Sequence, residues 1–289
     1  MAGSGMTGHA EVRIGISGWL YPPWRGVFYP KGVRQADELE YASQQVTSIE
    51  VNGSFYSLQR PANWARWRDT VPDDFIFAAK GPRFVTHIKR LRDIDAPLAN
   101  FFASGLLTLG RKLGPVLWQL PPNLQFDEAL LDAFLARLPR THGEAATLAR
   151  HRDRRMIGRT AFALGAPADR VLRHAVEVRH PSFETDAWRS MLERHHVASV
   201  IADTAGKYPR LDWTTADFAY ARLHGEQELY TSGYDDESLD RWAVWARAHL
   251  EAGRDVYAYF DNDIKVRAPF DAMALIERLP RPTGHARPS

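Results

Sequence analysis

Eight short apolar segments, rich in β-branched and aromatic residues, alternate with stretches of helical periodicity along the chain. The predicted strands are residues 12–19, 47–52, 75–80, 116–120, 174–179, 198–203, 218–224 and 256–261. Most are apolar almost throughout, which is typical of parallel strands that are covered on both faces. Because a helical or long connecting segment follows each strand, the pattern predicts an α/β fold, a (β/α)8 barrel of the TIM type, rather than a doubly wound sheet.

The connection between the fourth and fifth predicted strands is the longest departure from this repeat. We predict an insertion there over about 140–172, with an added helix over 143–155 and a loop over 158–169. No linker composition interrupts the series, so residues 12–280 are predicted to form one barrel domain. Residues 1–11 and 281–289 have few groups to bury and are expected to be loosely ordered ends.

Composition excludes several classes of function. The chain contains no cysteine, which excludes disulfides, thiolate catalysis and metal sites built on Cys. Its net charge of +2 gives no global argument for nucleic acid or for an anionic membrane. No apolar run could span a bilayer, and residues 1–10 lack the order of a signal peptide, so we expect a cytoplasmic protein. No GxGxxG follows a predicted strand, GxxxxGK[ST] does not occur, and no cofactor is predicted.

Polar residues gather at the carboxyl ends of the predicted strands, where barrels of this type form their active sites. Side chains alternate along a strand, so residues two apart project to the same side. The pairs are Glu50 with Asn52, Glu177 with Arg179, and Arg222 with His224. Because an unpaired buried charge is costly, charges of both signs at one rim indicate a compensated polar pocket. The alternative is a buried salt-bridge network that only plugs the barrel.

Four of these residues are candidates for catalysis, namely Glu50, Glu177, Lys80 and His224. A carboxylate can act as general acid or base beside a lysine or histidine, since proton transfer needs groups whose pKa values are separated. The candidate substrate-binding residues are Trp19, Tyr21, Asn52, Tyr56, Gln119, Arg179, His180, Asp203, Arg222, Asp261 and Asn262. The arginines suit a carboxylate or phosphate, or are permanent countercharges of Glu177. The aromatic residues suit a sugar or a base, or pack as a lid.

A divalent metal ion is an alternative occupant of the same rim. Its oxygen-rich ligands would be drawn from Glu50, Glu177, Asp203, His224 and Asp261. No spaced helical ligand motif occurs, and the cations of Arg222 and Lys80 would oppose a metal. We therefore predict no metal ligand and keep this set as the alternative.

Nucleic acid is an alternative partner, suggested by two basic stretches. Residues 150–159 contain five arginines, and residues 83–92 contain four Lys or Arg and one His. Such patches can track phosphates, although a solvated surface compensated by nearby acids is the commoner explanation. Binding to a membrane is not predicted, and the oligomeric state is left open.

Seven motifs together resemble one known family. They are IGISGWLYPPWRGVFYP at 14–30, IEVNGSFY at 49–56, FAAKGPRFVTH at 77–87, WQLPP at 118–122, VEVRHPSF at 176–183, ARLHG at 221–225 and YFDND at 259–263. In this order, over roughly residues 13–279, they resemble the YecE-like family, or "domain of unknown function 72". The resemblance implies a TIM-type barrel, described as related to sugar isomerases, without an established reaction.

The resemblance also implies which positions carry the family's motifs. They are Gly18, Trp19, Glu50, Asn52, Phe55, Tyr56, Lys80, Gln119, Glu177, Arg179, His180, His224 and Asn262. One departure is Asp261, because family members commonly have asparagine before the final Asn–Asp. The extra carboxylate puts a direct transfer of any role at the eighth strand in doubt.

The sequence as a whole predicts an acid–base enzyme of the isomerase, lyase or hydrolase type. Its substrate would be small and polar, either sugar-like or carrying a carboxylate or phosphate, and bound at the carboxyl-end rim. Two other classes stay open, a nucleic-acid-binding or processing barrel and a barrel that binds a metabolite without turning it over.

Overall fold

Eight parallel strands form a closed barrel in the computed structural model, which describes residues 10–280. The strands are β1 (Val12–Ser17), β2 (Ser48–Val51), β3 (Ile76–Lys80), β4 (Leu113–Gln119), β5 (His174–Glu177), β6 (Ala198–Asp203), β7 (Phe218–Leu223) and β8 (Asp255–Phe260). Each strand pairs with its neighbour in sequence, and β8 pairs with β1 to close the ring. The predicted (β/α)8 barrel is confirmed, and all eight predicted strands are present.

Nine α-helices surround the barrel in the described part of the chain. They are α1 (Glu38–Gln45), α2 (Gly53–Tyr56), α3 (Pro61–Thr70), α4 (Asp95–Ala103), α5 (Glu128–Ala136), α6 (His142–Ala149), α7 (Asp186–Arg194), α8 (Asp236–Glu251) and α9 (Ala268–Glu277). Short 3-10 helices span Pro22–Trp24, Gln35–Asp37, Leu106–Lys112, Arg154–Met156 and Pro181–Phe183, and a π-helix spans Phe84–Ile88. A loop without a helix connects β6 to β7.

The apolar side chains form two separate clusters. One fills the inside of the barrel and consists of Ala78, Leu117, Ala175, Ala198, Val200, Phe218, Tyr220, Tyr257 and Tyr259. The larger cluster lies between the strands and the helices, and it includes Ile16, Ile49, Phe77, Val176 and Ile201. Since side chains alternate along a strand, membership of one cluster or the other tells which way each strand residue points. This alternation decides which polar residues enter the barrel.

The insertion between β4 and β5 packs at the side of the barrel. Its predicted helix is shorter than expected, because α6 ends at Ala149 and only a 3-10 turn follows. The insertion contacts α4 through hydrogen bonds between Asn100 and Asp153, at 2.9 and 3.0 Å. Farther on, the Gly165 amide donates to the carbonyl of Leu107, in the segment that leads into the amino end of β4. The arginine-rich stretch at 150–159 therefore does not share the carboxyl-end rim with the aromatic loop that follows β1.

Two further expectations have a limited outcome. The predicted loose ends, apart from residues 10 and 11, lie outside the described residues. Within residues 10–280, none of the helices has both the length and the apolar character needed to cross a bilayer. The cytoplasmic location stays a prediction.

Closure of the barrel leaves no room for a side chain at Gly15, which gives a test of the fold. A Cβ at Gly15 would lie 1.7 Å from the carbonyl oxygen of Ser48 on the neighbouring strand. We expect Gly15→Ala to lower the free energy of unfolding by at least about 3 kcal/mol, because the clash is with the backbone of β2. Urea unfolding followed by tryptophan fluorescence measures this. The control is Gly53→Ala, whose Cβ would meet only the flexible end of Gln59, at 3.3 Å. Equal stabilities of the two variants would contradict this packing.

Candidate functional site

A single guanidinium, that of Arg222 on β7, lies at the centre of the polar residues inside the barrel. Its Nε donates to both carboxylate oxygens of Glu50, at 3.2 and 3.1 Å, and its Nη2 donates to Glu50 and to Asp261, both at 2.8 Å. Its Nη1 donates to Glu177 at 2.7 Å and lies 3.2 Å from Nε2 of His224. An arginine has five N–H donors, and these contacts use all five. Arg222 thus has no donor left for a substrate, which corrects the prediction that it binds one.

The two glutamates that were predicted to be catalytic converge on this guanidinium. Glu50 also accepts hydrogen bonds from the hydroxyls of Ser17 at 3.0 Å and of Tyr220 at 2.6 Å. Glu177 also accepts from Nε of Arg179 at 2.7 Å. Both glutamates are fully buried. The salt-bridge network that was the alternative prediction is therefore present, and it forms a floor across the barrel beneath the rim. We use the floor network as the name for Glu50, Glu177, Arg222 and their direct partners.

Two carboxylates of the floor network, Glu177 and Asp261, keep their negative charge at neutral pH. Burial alone would raise the pKa of Glu177, but the guanidiniums of Arg179 and Arg222 outweigh burial and hold it well below its ordinary value. Burial likewise acts to raise the pKa of Asp261, and the charge of Arg222 overrides it and brings the value to about 2. A carboxylate that does not take up a proton is a poor general acid. Glu177 thus acts as a fixed negative charge beside Arg179 and Arg222.

His224 and Asp261 connect the floor network to the rim. Nδ1 of His224 lies 3.1 Å from a carboxylate oxygen of Asp261. Because Arg222 can only donate, Nε2 of His224 accepts from it and the ring proton is on Nδ1, which makes no hydrogen bond within residues 10–280. The side chain of Asp261 is 14% exposed, whereas those of Arg222 and His224 are fully buried. Asp261 is thus the part of this cluster that meets solvent.

Lys80, at the end of β3, is the cation of the site that lacks a partner. Among residues 10–280 its ammonium makes neither an ion pair nor a side-chain hydrogen bond, and it lies 4.4 Å from the centre of the Phe55 ring. The residue is 7% exposed. Burial, and then the positive charge of Arg222, lower the pKa of Lys80 from 10.5 to about 8, although Glu50, Asp261 and Glu177 act in the opposite direction. This amine can therefore exchange its proton near neutral pH.

His87 is a functional candidate that the sequence interpretation missed. It lies on the π-helix after β3, and its ring packs edge-on against Phe55 at 5.1 Å, on the same ring that Lys80 covers. Burial lowers the pKa of His87 to about 4, and the charges of Lys80 and Arg179 add to this. The imidazole is hence neutral at pH 7 and can accept a proton. The motif FAAKGPRFVTH contains this histidine, but the stretch around it was interpreted only as a basic patch.

Arg179 continues the site on the side of β5. It donates to Glu177, and its guanidinium stacks on the ring of Tyr208 at 4.8 Å. Tyr230 packs edge-on over His224 at 5.3 Å, and burial raises the pKa of the Tyr230 hydroxyl. The side chain of Arg179 is 11% exposed. It is thus the arginine that an anionic substituent would meet.

An aromatic cleft of about 300 Å³ opens where β1 and β2 end. It is lined by Gly18, Trp19, Leu20, Tyr21, Val51, Asn52, Gly53, Tyr56, Gln59 and Trp67. Trp19 is held edge-on by Trp67 at 5.1 Å, and the Tyr21 hydroxyl donates to the carbonyl of Ser17. Tyr56 is 71% exposed. The amide nitrogen of Asn52 donates to the same Ser17 carbonyl at 3.1 Å, while its buried Oδ1 has no hydrogen-bond partner within residues 10–280.

Several predicted rim residues lie elsewhere. Asp203 lies two positions after Ile201 on β6 and therefore points out of the barrel, as Ile201 does. It accepts a hydrogen bond from the Tyr234 hydroxyl at 3.1 Å and lines a separate cavity of about 460 Å³ beside α8. Asn262 donates to Asp271 at 2.8 Å outside the barrel. The His180 side chain caps the 3-10 helix that follows β5. These three positions are separated from the floor network, whereas Gln119 shares the inward side of β4 with Leu117.

The predicted alternative of a metal site receives no geometric support. Within residues 10–280, His, Asp and Glu side chains do not come together in threes in a way that could hold a metal ion. Two of the five candidate ligands, Glu50 and Asp261, share the guanidinium of Arg222, and Asp203 points away from them. A cation would have to displace Arg222 to reach these carboxylates.

Comparison with known proteins gives a family match and a fold match. A family model described as "Protein of unknown function DUF72" matches residues 13–289. UPF0759 protein YecE of Escherichia coli, from strain K12 and from O157:H7, is 31% identical over 110 residues, which is 38% of this chain and 38% of each relative. The match thus spans well under half the length of these curated relatives.

Two solved structures share the architecture. A DUF72 family protein of Thermotoga maritima superposes with a TM-score of 0.72 at 23% identity, covering 92% of this chain and 98% of that chain. A DUF72 family protein of Enterococcus faecalis superposes with a TM-score of 0.71 at 14% identity, covering 93% and 95%. At these identities the similarity shows the fold.

The floor network makes Arg222 the most sensitive polar position in the barrel. We expect Arg222→Met to lower the free energy of unfolding by about 3–5 kcal/mol, because it leaves three carboxylates inside the barrel without their shared cation. Tyr220→Phe, which removes one hydrogen bond to Glu50, should cost about 1.5–3 kcal/mol. Urea unfolding measures the loss of stability in both variants, provided that their m-values equal that of the native protein. A loss of less than about 1 kcal/mol for Arg222→Met, as for an exposed ion pair, would show that the floor network is not closed as described.

The lowered pKa of Lys80 has a consequence for stability against pH. Below pH 8 the folded and unfolded chains both carry the protonated amine, but between about 8 and 10.5 the folded chain has lost a proton that the unfolded chain keeps. The cost of burying the ammonium therefore disappears as pH rises through this window. Relative to Lys80→Met, the native free energy of unfolding should rise there by up to about 1.4 kcal/mol per pH unit. Urea titrations of both proteins test this, and parallel pH curves would contradict it.

Proposed function

The chain belongs to the DUF72 family, and we propose that it is an acid–base enzyme acting on a small, polar, sugar-like substrate at the carboxyl-end rim of the barrel. Lys80 would be the reacting group, with His87 as the proton acceptor. The floor network would position these groups without exchanging protons itself.

The observation that carries this proposal is the unpaired amine of Lys80. Burying an ammonium without a counterion is unfavourable, and a residue kept only for stability would be paired or apolar. Lys112 illustrates the paired case, because it donates to the carbonyls of Arg68 and Val71, both at 2.8 Å, and lies 3.5 Å from Asp73. Lys80 has neither kind of partner in the described part of the chain. An amine held in this way, with its pKa lowered to about 8, is suited to proton transfer near neutral pH.

The aromatic cleft supports a sugar-like substrate. Flat indole and phenol surfaces pack against the apolar face of a ring, while an unpaired amide oxygen accepts from a hydroxyl. Trp19, Tyr21 and Tyr56 provide the surfaces, and Oδ1 of Asn52 is the unpaired acceptor. A carboxylate or phosphate on the substrate would meet Arg179, since the donors of Arg222 are already used.

The position of the basic stretch at 150–159 disfavours nucleic acid as the partner, whereas residues 83–92 directly follow β3 at the site. Residues 150–159 contact α4, and part of their charge is neutralised by Asp153. A strand of nucleic acid that stacked its bases in the cleft would not reach this stretch by the same groove.

Proton exchange in heavy water tests the proposal for any reaction that begins with removal of a C–H proton. The protein is incubated in D2O with aldoses, ketoses and sugar acids, and proton NMR follows loss of the C–H signal next to the carbonyl group. We expect exchange by the native protein on at least one compound, and a rate about 10²–10⁴-fold lower for Lys80→Met. The matched control is Lys207→Met, because Lys207 lies near Tyr208, 5.6 Å from its ring centre, outside the floor network.

The outcomes separate the three classes of function. Exchange that Lys80→Met abolishes and Lys207→Met preserves supports the enzyme. If saturation-transfer NMR shows that a sugar binds but no C–H proton exchanges, the protein is a metabolite-binding barrel and not an enzyme of this kind. Binding of single-stranded DNA that weakens steeply with salt, together with no sugar binding, would favour the nucleic-acid alternative instead.

A further inference from the structure

We propose that Lys80 reacts covalently with its substrate, forming an imine with the carbonyl group of an aldehyde or ketone. This inference rests on the proposed function and narrows its substrate class to carbonyl compounds. It concerns bond formation at Nζ of Lys80, whereas acid–base catalysis alone would require only proton transfer.

The placement of Lys80 favours a nucleophile over a binding cation. A cation that binds substrate anions would be better served by arginine, which stays charged and donates in a fork. Arginine is by far the commoner basic residue here, since only six of the 37 basic residues are lysines, at positions 31, 80, 89, 112, 207 and 265. The barrel mouth nevertheless holds a lysine whose amine lies over an aromatic ring and forms no ion pair among residues 10–280.

The surroundings of Lys80 also activate the amine. An amine attacks a carbonyl only when it is deprotonated, and desolvation beside another cation is one of the ways in which proteins activate a lysine. Lys80 is buried over Phe55, and the charge of Arg222 acts on it. With a pKa of about 8, roughly a tenth of the molecules carry the free amine at pH 7.

The covalent step balances without any further reagent. The Nζ lone pair forms a bond to the carbonyl carbon while the C=O π pair moves to oxygen, and a proton passes from nitrogen to that oxygen to give a carbinolamine. The C–O bond then breaks with its electron pair, and the hydroxyl leaves as water. It takes back from solvent the proton that the Lys80 ammonium released when it became the free amine. The nitrogen lone pair forms the C=N bond, which gives a protonated imine. Hydrolysis reverses these steps and restores the free lysine.

A group that can accept a proton shares an aromatic ring with the amine. The neutral ring of His87 packs edge-on against the Phe55 ring that Lys80 also covers. A protonated imine withdraws electrons and acidifies the adjacent C–H bond. His87 can take that proton to give an enamine, and the enamine takes the proton back in the reverse step. Isomerisation or carbon–carbon bond cleavage of a sugar uses this same chemistry.

Reductive trapping tests the proposal with small probes. Native protein is mixed with dihydroxyacetone, glyceraldehyde or pyruvate in the presence of sodium cyanoborohydride, which converts an imine to a stable secondary amine. Peptide mass mapping then measures modification at each of the six lysines. We expect Lys80 to be modified at least tenfold faster than Lys207, which follows β6 and lies near Tyr208. Lys207→Arg should leave the rate of trapping at Lys80 unchanged, and Lys80→Arg should remove the rapid modification of the protein. In native protein unfolded in urea, all six lysines should be modified at similar rates.

The results distinguish this inference from the proposed function. Preferential trapping at Lys80 in the folded protein supports the imine. Equal or absent modification of Lys80, with proton exchange that still requires Lys80, overturns the imine and leaves acid–base catalysis standing. Absence of both trapping and exchange overturns both proposals.

Discussion

The five N–H groups of Arg222 are the constraint on which the site depends. One guanidinium holds the carboxylates of β2, β5 and the end of β8, so four strands of the ring meet at a single residue inside the barrel. Buried charges are tolerated only when each finds a partner of good geometry, and a planar fork with five donors meets that need for several carboxylates at once. The polar floor is therefore possible because of the shape of arginine, and a lysine in its place could not bind the same set.

The floor network also explains why Lys80 is unusual. The carboxylates that would otherwise neutralise a buried lysine are already engaged by Arg222 and Arg179, so they act on Lys80 only through their charges. Arg222 adds its own positive charge, which opposes a second cation nearby. Arg222, which holds the carboxylates in place, thus adds to the effect of burial in lowering the pKa of Lys80.

Sequence alone predicted the barrel well, because strand content, strand number and alternation with helices can be seen in local composition. The side to which a polar residue points was less accessible. Strand β6 is buried on both faces and mostly apolar, so polar and apolar residues do not alternate along it. The sequence therefore did not show that Asp203 points out of the barrel. The role of Arg222 was also hidden, because its donors bind Glu50 and Glu177. These two residues lie 172 and 45 positions earlier in the sequence. His87 was missed because a π-helix, which no local pattern announced, returns it toward Phe55.

The ionisable groups at this end of the barrel differ widely in proton affinity. Glu177 is fully buried, and the guanidiniums of Arg179 and Arg222 keep its pKa well below the ordinary value. Asp261, partly exposed, has a pKa of about 2, while burial and the neighbouring charge of Asp261 raise the pKa of Asp263 to about 6. Lys80 follows at about 8. Groups that keep their charge at neutral pH provide a constant field, and groups with pKa values near 7 exchange protons within it. This separation of fixed from exchangeable charge is what acid–base chemistry requires, and a barrel plugged for stability alone would have no need of it.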